Sequence, residues 1–222
     1  MSQPARLGAE ELAGLRRVLR SALVSDALDE LGLRQQAFRH DIRRLAGRGV
    51  LVGHAFPVTA APISAVADDP YAGLRAALLA LGRDDIYVLA TARSDGYSGW
   101  GELLSITARA AGAAGVVTDG LVRDLDQIDA LAFETFARGT MPVDVAGRAD
   151  IRATDRVTID GIDVERDDLI VGDADGVVVV PTRVRDDVIA RALERHASED
   201  AFRQAVEDGM QPAEALDRFR VL

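Results

Sequence analysis

The chain has 222 residues, 48% of them hydrophobic and 28% charged, with a formal net charge of -10 at pH 7. That is the composition of one substantial soluble domain, and its acidity argues against nucleic acid as a ligand, because phosphate binding needs a basic face. With no cysteine, disulfides, thiolate metal sites and cysteine nucleophiles drop out, and because all 26 basic residues are arginine, the lysine amine of a Schiff-base aldolase or a pyridoxal-phosphate enzyme is absent too.

In chain order, Leu12, Leu15, Val18 and Leu19 fall at helical spacing and predict an amphipathic helix over 10–20. Ser25 or Asp26 is read as the N-cap of a short second helix that runs to Leu31 and stops at Gly32. Residues 47–59 mix β-branched side chains with glycines and predict a strand, which Pro57 confines to an edge or a bulge. His54, in that strand, reads as a structural histidine, since His40, His54 and His196 show no metal-ligand spacing. Asp69 and Pro70 look like the N-cap and first position of a helix to about Leu81, and 86–91 is a strand followed by a polar loop, 93–99.

The stretch 100–124, WGELLSITARAAGAAGVVTDGLVRD, then reads as a helix start at Gly101, Glu102, Leu103 and Leu104, the helix itself, a buried strand over 114–118, and a glycine turn into Arg123 and Asp124. A helix N-terminus offers free N–H groups and a positive dipole end to a carboxylate. If the strand brings the chain back to that end, one pocket gains anion-binding amides, two carboxylates for a hard cation and a fixed positive charge. Such a pocket suits a small 2-oxo acid. Beyond it come a short helix (125–132), a strand (133–137) and turns at Gly139 and Pro142. Four β runs follow at 157–159, 162–164, 169–171 and 177–180, as hairpins on an α/β body. The tail is helical, first to about His196, then over 198–208 with Glu199 in its first turn, then over 212–219. The longest apolar runs fall short of the roughly 20 residues that cross a bilayer, and the polar N-terminus lacks the apolar core of a signal peptide. A cytoplasmic protein with no membrane partner is expected.

Singly, GELL, Arg123–Asp124 and the run GDADGVVVVP (172–181) each have a plain structural reading: a helix start, a surface ion pair or cap, and a turn before a buried strand. Together and in this order they resemble the RraA-like family, through its G-[DE]-L-L, G-x-A-G-V-V-x-D-G-x-V-R-D and G-D-x-D-G-V-V-V-V-P motifs. The enzymatic branch of that family holds metal-dependent 4-hydroxy-4-methyl-2-oxoglutarate (HMG) and 4-carboxy-4-hydroxy-2-oxoadipate (CHA) aldolases. A weaker likeness runs from SDALDELG at Ser25 to ASEDAFRQAVEDGM at Ala197.

The resemblance implies an α/β fold of the three-layer β/β/α swivelling-domain type, with mixed sheets, in a single domain over 1–222. It implies a homotrimer or hexamer, with the helical tail 182–222 packing on a neighbouring subunit. By position, the amides of Gly101, Glu102, Leu103 and Leu104 would hold the substrate carboxylate and Arg123 its 2-oxo oxygen. Asp124 would ligate Mg2+ or Mn2+ directly, Glu102 would hold metal-bound waters, and Glu199 of a neighbouring subunit would approach those waters, although the family's G-E-N reads Ser198, Glu199, Asp200 here. The implied reaction is retro-aldol cleavage to pyruvate, with a metal-bound water or hydroxide as base and oxaloacetate decarboxylation through the same enolate. Alternatives are a non-catalytic regulator resembling the family's ribonuclease E inhibitors, which lack the acid after the arginine, and a lyase for a sugar-derived 2-oxo acid. A methyltransferase role is set aside because no glycine-rich nucleotide loop follows a first strand.

Overall fold

A computed structural model describes residues 5–221. The chain opens with helices α1 (Ala9–Val18) and α2 (Ser21–Glu30), then strands β1 (Arg43–Ala46) and β2 (Leu51–Pro62), helix α3 (Ala72–Leu79) and strands β3 (Asp85–Ala90) and β4 (Ser98–Trp100). Helix α4 (Glu102–Ala110), strands β5 (Gly115–Thr118) and β6 (Leu121–Val122), helix α5 (Leu125–Ala130) and strands β7 (Glu134–Ala137), β8 (Gly139–Thr140) and β9 (Ala149–Ala153) follow. The hairpins β10–β11 (Arg156–Ile159, Ile162–Glu165) and β12–β13 (Leu169–Gly172, Val177–Val180) lead to α6 (Arg185–Glu207) and α7 (Pro212–Phe219).

The main sheet has the order β1-β7-β5-β3-β2-β12-β13, with β9 also paired to β2. Its centre, β2, β3, β5 and β7, is parallel, because α3, α4 and α5 each carry the chain back over one face. Alternation along β3 divides the cores: Tyr87 and Leu89 face Trp100, Leu74 and Ile128 on the helical side, while Ile86 and Val88 face Val157, Ile159 and Val164 of the β10–β11 hairpin. On the outer strands, Val178 and Val180 pack against α1 and α2 while Val177 and Val179 face the hairpin, so the four valines are buried on both sides. Hairpin, sheet and helices make the three layers of the β/β/α fold.

Pro57 does not lie on an edge: β2 is central, paired with β3 on one side from His54 to Thr59. On the other side β12 covers Leu51 to His54 and β9 covers Val58 to Pro62, so Pro57 falls at the seam where the neighbour changes. There a missing N–H leaves no ladder bond broken. Asp26 is no N-cap. Helix α2 begins at Ser21, capped from afar by Asp173, whose Oδ2 accepts from Ser21 N at 2.7 Å and whose Oδ1 accepts from Ser21 Oγ at 2.6 Å. Asp26 instead sits mid-helix, 3.1 Å from Arg195 Nε. The Asp of GDADG is therefore a tertiary cap. Asp173→Ala should lower stability by about 2 kcal/mol, since a buried N–H loses a charged acceptor, seen as a lower urea midpoint at unchanged slope.

Helix α3 likewise starts at Ala72, later than Asp69 and Pro70 predict, because Asp69 Oδ1 accepts from Tyr71 N at 3.2 Å and forms a turn ahead of the helix. The tail has no break at Ala197, since Ser198 Oγ donates back to Glu194 O at 3.2 Å inside the continuous helix α6. Glu199 thus lies mid-helix and gains nothing from a helix N-terminus. Within the chain α6 packs along α2, tied by Arg191 and Arg195 to Glu30 at 2.8 and 3.2 Å. His54 is buried, with Nε2 3.2 Å from Leu7 O, in keeping with a structural role. Among the described residues no helix is long and apolar enough to cross a membrane.

Candidate active site

Three strands of two or three residues build the site. β4, β6 and β8 run parallel in a small second sheet, with Trp100 beside Val122 and Val122 beside Thr140. Their carboxyl ends therefore open on one edge, the usual place for a ligand in a parallel sheet. From β4 emerges Gly101 and the start of α4, from β6 Arg123 and Asp124, and from β8 Met141 and Pro142. Arg123 N donates to Trp100 O at 3.0 Å, which fixes the first two against each other.

The α4 start is held from below. Trp100, buried between Tyr87 and Phe133, donates from Nε1 to Ser105 Oγ at 2.8 Å, and Ser105 Oγ donates to Gly101 O at 3.0 Å. Glycine at 101 leaves room for the site's side chains: a Cβ there would come 2.8 Å from Asp124 Oδ2 and 3.1 Å from Arg123 Cγ and would push them aside. The N-cap position leaves the amides of the first turn without helical acceptors, and Leu103 and Leu104 line the same hollow as Arg123.

Asp124 behaves unlike an ordinary cap. It occupies the N-cap position of α5 in a left-handed conformation (φ 57°), yet its carboxylate makes no bond to α5. Instead Oδ2 turns to the neighbouring helix, accepts from Glu102 N at 3.3 Å and lies 3.5 Å from Arg123 Nε. Arg123 NH1 is also 3.5 Å from Asp144 Oδ1. Neither approach closes into a hydrogen bond, so among the described residues the guanidinium donates to no protein acceptor and faces the cavity with its N–H groups uncommitted. Arg123 and Asp124 line two adjoining hollows. One, of about 330 Å3, has apolar walls from Leu74, Leu78, Trp100, Leu104 and Val145; the other, of about 490 Å3, is bounded by Gln127, Thr140, Met141 and Pro142.

Gly101, Glu102, Leu103, Leu104, Arg123 and Asp124 are thus brought together. Glu199 is not: within the chain it lines a separate hollow of about 380 Å3 with Arg20, His196 and Arg203, 3.8 Å from Arg195 Nε. Arg93 is occupied, with NH1 2.7 Å from Asp160 and a bond to Asp41, so it neutralises local acids. Asp119, in the same motif as Arg123, pins that loop by accepting from Thr91 N at 2.6 Å and Arg93 N at 3.0 Å. Sequence reasoning missed Asp144 and Tyr71, which complete the wall around Arg123; nothing local in VDVAG distinguishes a site carboxylate from a turn residue.

Among the described residues no three His, Asp or Glu side chains converge as a metal cluster. The Asp124 carboxylate, which accepts from the backbone N of Glu102 at the α4 start, is still a suitable donor for a small hard cation, and Glu102 adds a second acid at that helix start. Mg2+ keeps most of its waters and is often held by only one or two protein carboxylates. A cation here would also offset the two acids that bracket Arg123.

Comparison with known proteins identifies the family and the fold. A family model described as "RraA-like: Aldolase/RraA" matches residues 21–179. A Halalkalibacterium halodurans protein named "Putative 4-hydroxy-4-methyl-2-oxoglutarate aldolase" is 34% identical over 112 residues, 50% of this chain and 52% of that one. The chain spans about half the length of the curated relatives it matches. A crystal structure from Pseudomonas syringae superposes with a TM-score of 0.82 at 26% identity, over 96% of this chain and 99% of that one. Streptomyces coelicolor RraAS2, titled an unusual member of the RNase ES inhibitor RraA family, does so at 0.79 and 26%, over 90% and 99%.

Proposed function

Because the chain belongs to the RraA-like family, we propose that it is a divalent-metal-dependent pyruvate aldolase. It cleaves a 4-hydroxy-2-oxo acid of the HMG or CHA kind to pyruvate and a second carbonyl compound, and decarboxylates oxaloacetate as a side reaction. The observation that carries this reading is the uncommitted Arg123 guanidinium set between the α4 N-terminus and an Asp124 carboxylate that declines to cap its own helix.

The substrate carboxylate sits on the amides of Gly101 to Leu104, where the helix dipole favours negative charge. As the 4-hydroxyl proton passes to water, the C4–O electrons close the second product's carbonyl and the C3–C4 bond breaks, its electron pair moves to C2–C3, and charge collects on the C2 oxygen. Arg123 donates to that oxygen as the charge develops, and protonation at C3 then gives pyruvate. A Mg2+ or Mn2+ ion held by Asp124, with Glu102 on its waters, supplies Lewis-acid charge and acidified water. Decarboxylation of oxaloacetate leaves the same charge on the same oxygen, so the same donors serve it.

The protein is proposed to work as a homotrimer or hexamer in the cytoplasm, with the tail 182–222 reaching a neighbouring subunit and Glu199 meeting that subunit's site. The likeness to RraAS2 favours a second reading, a regulator that binds a protein partner. Retention of Asp124 directly after Arg123 supports the enzyme. Pyruvate release from HMG, CHA and oxaloacetate, with Mg2+, with Mn2+ and after chelation, separates the two: metal-dependent release from the hydroxy acids is expected, and no release from any of the three overturns the aldolase.

A further inference from the structure

We infer that Asp144 and Tyr71 act as a positioning pair that orients the Arg123 guanidinium. The kinetic consequence rests on the aldolase reading above; the geometry does not. Asp144 reaches the site from the small sheet's own edge, where it bridges to Ser98 and where Ser98 N donates to Val143 O at 2.7 Å. Its side chain is fixed at both oxygens. Oδ1 accepts from Val145 N at 2.8 Å and faces Arg123 NH1, while Oδ2 accepts from the Tyr71 hydroxyl.

Tyr71 is held in turn at the start of α3, where Asp69 receives its backbone N–H. The bond to Asp144 and burial raise the phenol above its ordinary pKa, so it remains a donor through neutral pH. Three elements distant in sequence, the α3 start, the loop after β8 and the end of β6, therefore converge on one guanidinium. A carboxylate placed 3.5 Å from Arg123 NH1 is near enough to steer the fork electrostatically, yet too loosely placed to consume its donors. With Asp124 on the Nε side and Asp144 on the NH1 side, the guanidinium is bracketed at both ends where it lines the cavity. Orientation of this kind matters most when charge develops on the reacting oxygen, and so acts on kcat more than on KM.

The test uses Tyr71→Phe, which removes only a hydroxyl at a partly exposed position, and Asp144→Asn, whose amide oxygen still accepts from Val145 N. Two readouts are taken on the full chain. First, the 15N–H resonance of Arg123 Nε, identified by its loss in Arg123→Lys, should be resolved in the wild type and broadened or shifted in both variants. Second, kcat for pyruvate release should fall about 10- to 100-fold, the range of supporting-residue effects, with KM changed less. In the Arg123→Lys background neither substitution should cost anything more. An Arg123 resonance unmoved in both variants overturns the inference, as do full additive losses in the Arg123→Lys background. If the wild type releases no pyruvate, the aldolase reading fails while the resonance still decides the positioning.

Discussion

Asp124→Asn is expected to lower metal-dependent pyruvate release by more than about 100-fold while the protein stays folded. Residues that merely support a metal ligand typically cost 10- to 100-fold, and Asp124 is proposed as the direct ligand. Asparagine is the informative replacement because the position is left-handed, at φ 57°, a conformation that Asn and Asp adopt at lower cost than Ala. Asp124→Ala should also abolish turnover, but with a backbone penalty of about 1 kcal/mol mixed in. Since the carboxylate makes no bond within α5 and lies only 3.3 Å from Glu102 N, its charge can be removed with little loss of stability. Mn2+ titration by calorimetry, a thermal melt and the pyruvate assay check the three parts. Unchanged turnover would remove Asp124 from the metal site.

The sequence carries the α/β body plainly because its signals are local. Helical spacing marks α1, an unbroken apolar run marks β3, and the hairpin runs near the C-terminus show up as short β segments between Asp and Gly. The small sheet that assembles the site is invisible by the same logic, because strands of two or three residues such as Leu121–Val122 and Gly139–Thr140 are too short to show a period. Arg123 and Asp124 were found through the motif and not through β6. Asp144 and Tyr71 carry no such motif. The misplaced start of α2 has another cause: Ser21 is capped by Asp173, 152 residues away, and no local residue can announce that. Pro57 misleads for a related reason, since its place depends on which two strands share the far side of β2.

Arg123→Lys should be almost as damaging as loss of Asp124, although it keeps the charge. Loss of one preorganised donor to a developing oxyanion typically costs about 3 kcal/mol, roughly 100- to 1,000-fold in kcat. What lysine cannot reproduce is the planar fork. Arg123 is flanked by Asp124 on its Nε side and Asp144 on its NH1 side, both at 3.5 Å, and a fork can point one edge at each while a third faces the substrate. An ammonium is a compact point charge on a flexible stem. Between two carboxylates it would close onto one of them at salt-bridge distance, drawing its charge away from the cavity and towards an acid the metal site needs. The loss should therefore appear mainly in kcat, and it should be accompanied by weaker Mn2+ binding if the ammonium settles on Asp124. Turnover within a few-fold of the wild type would mean that charge alone suffices, and the geometric argument for the site would fall with it.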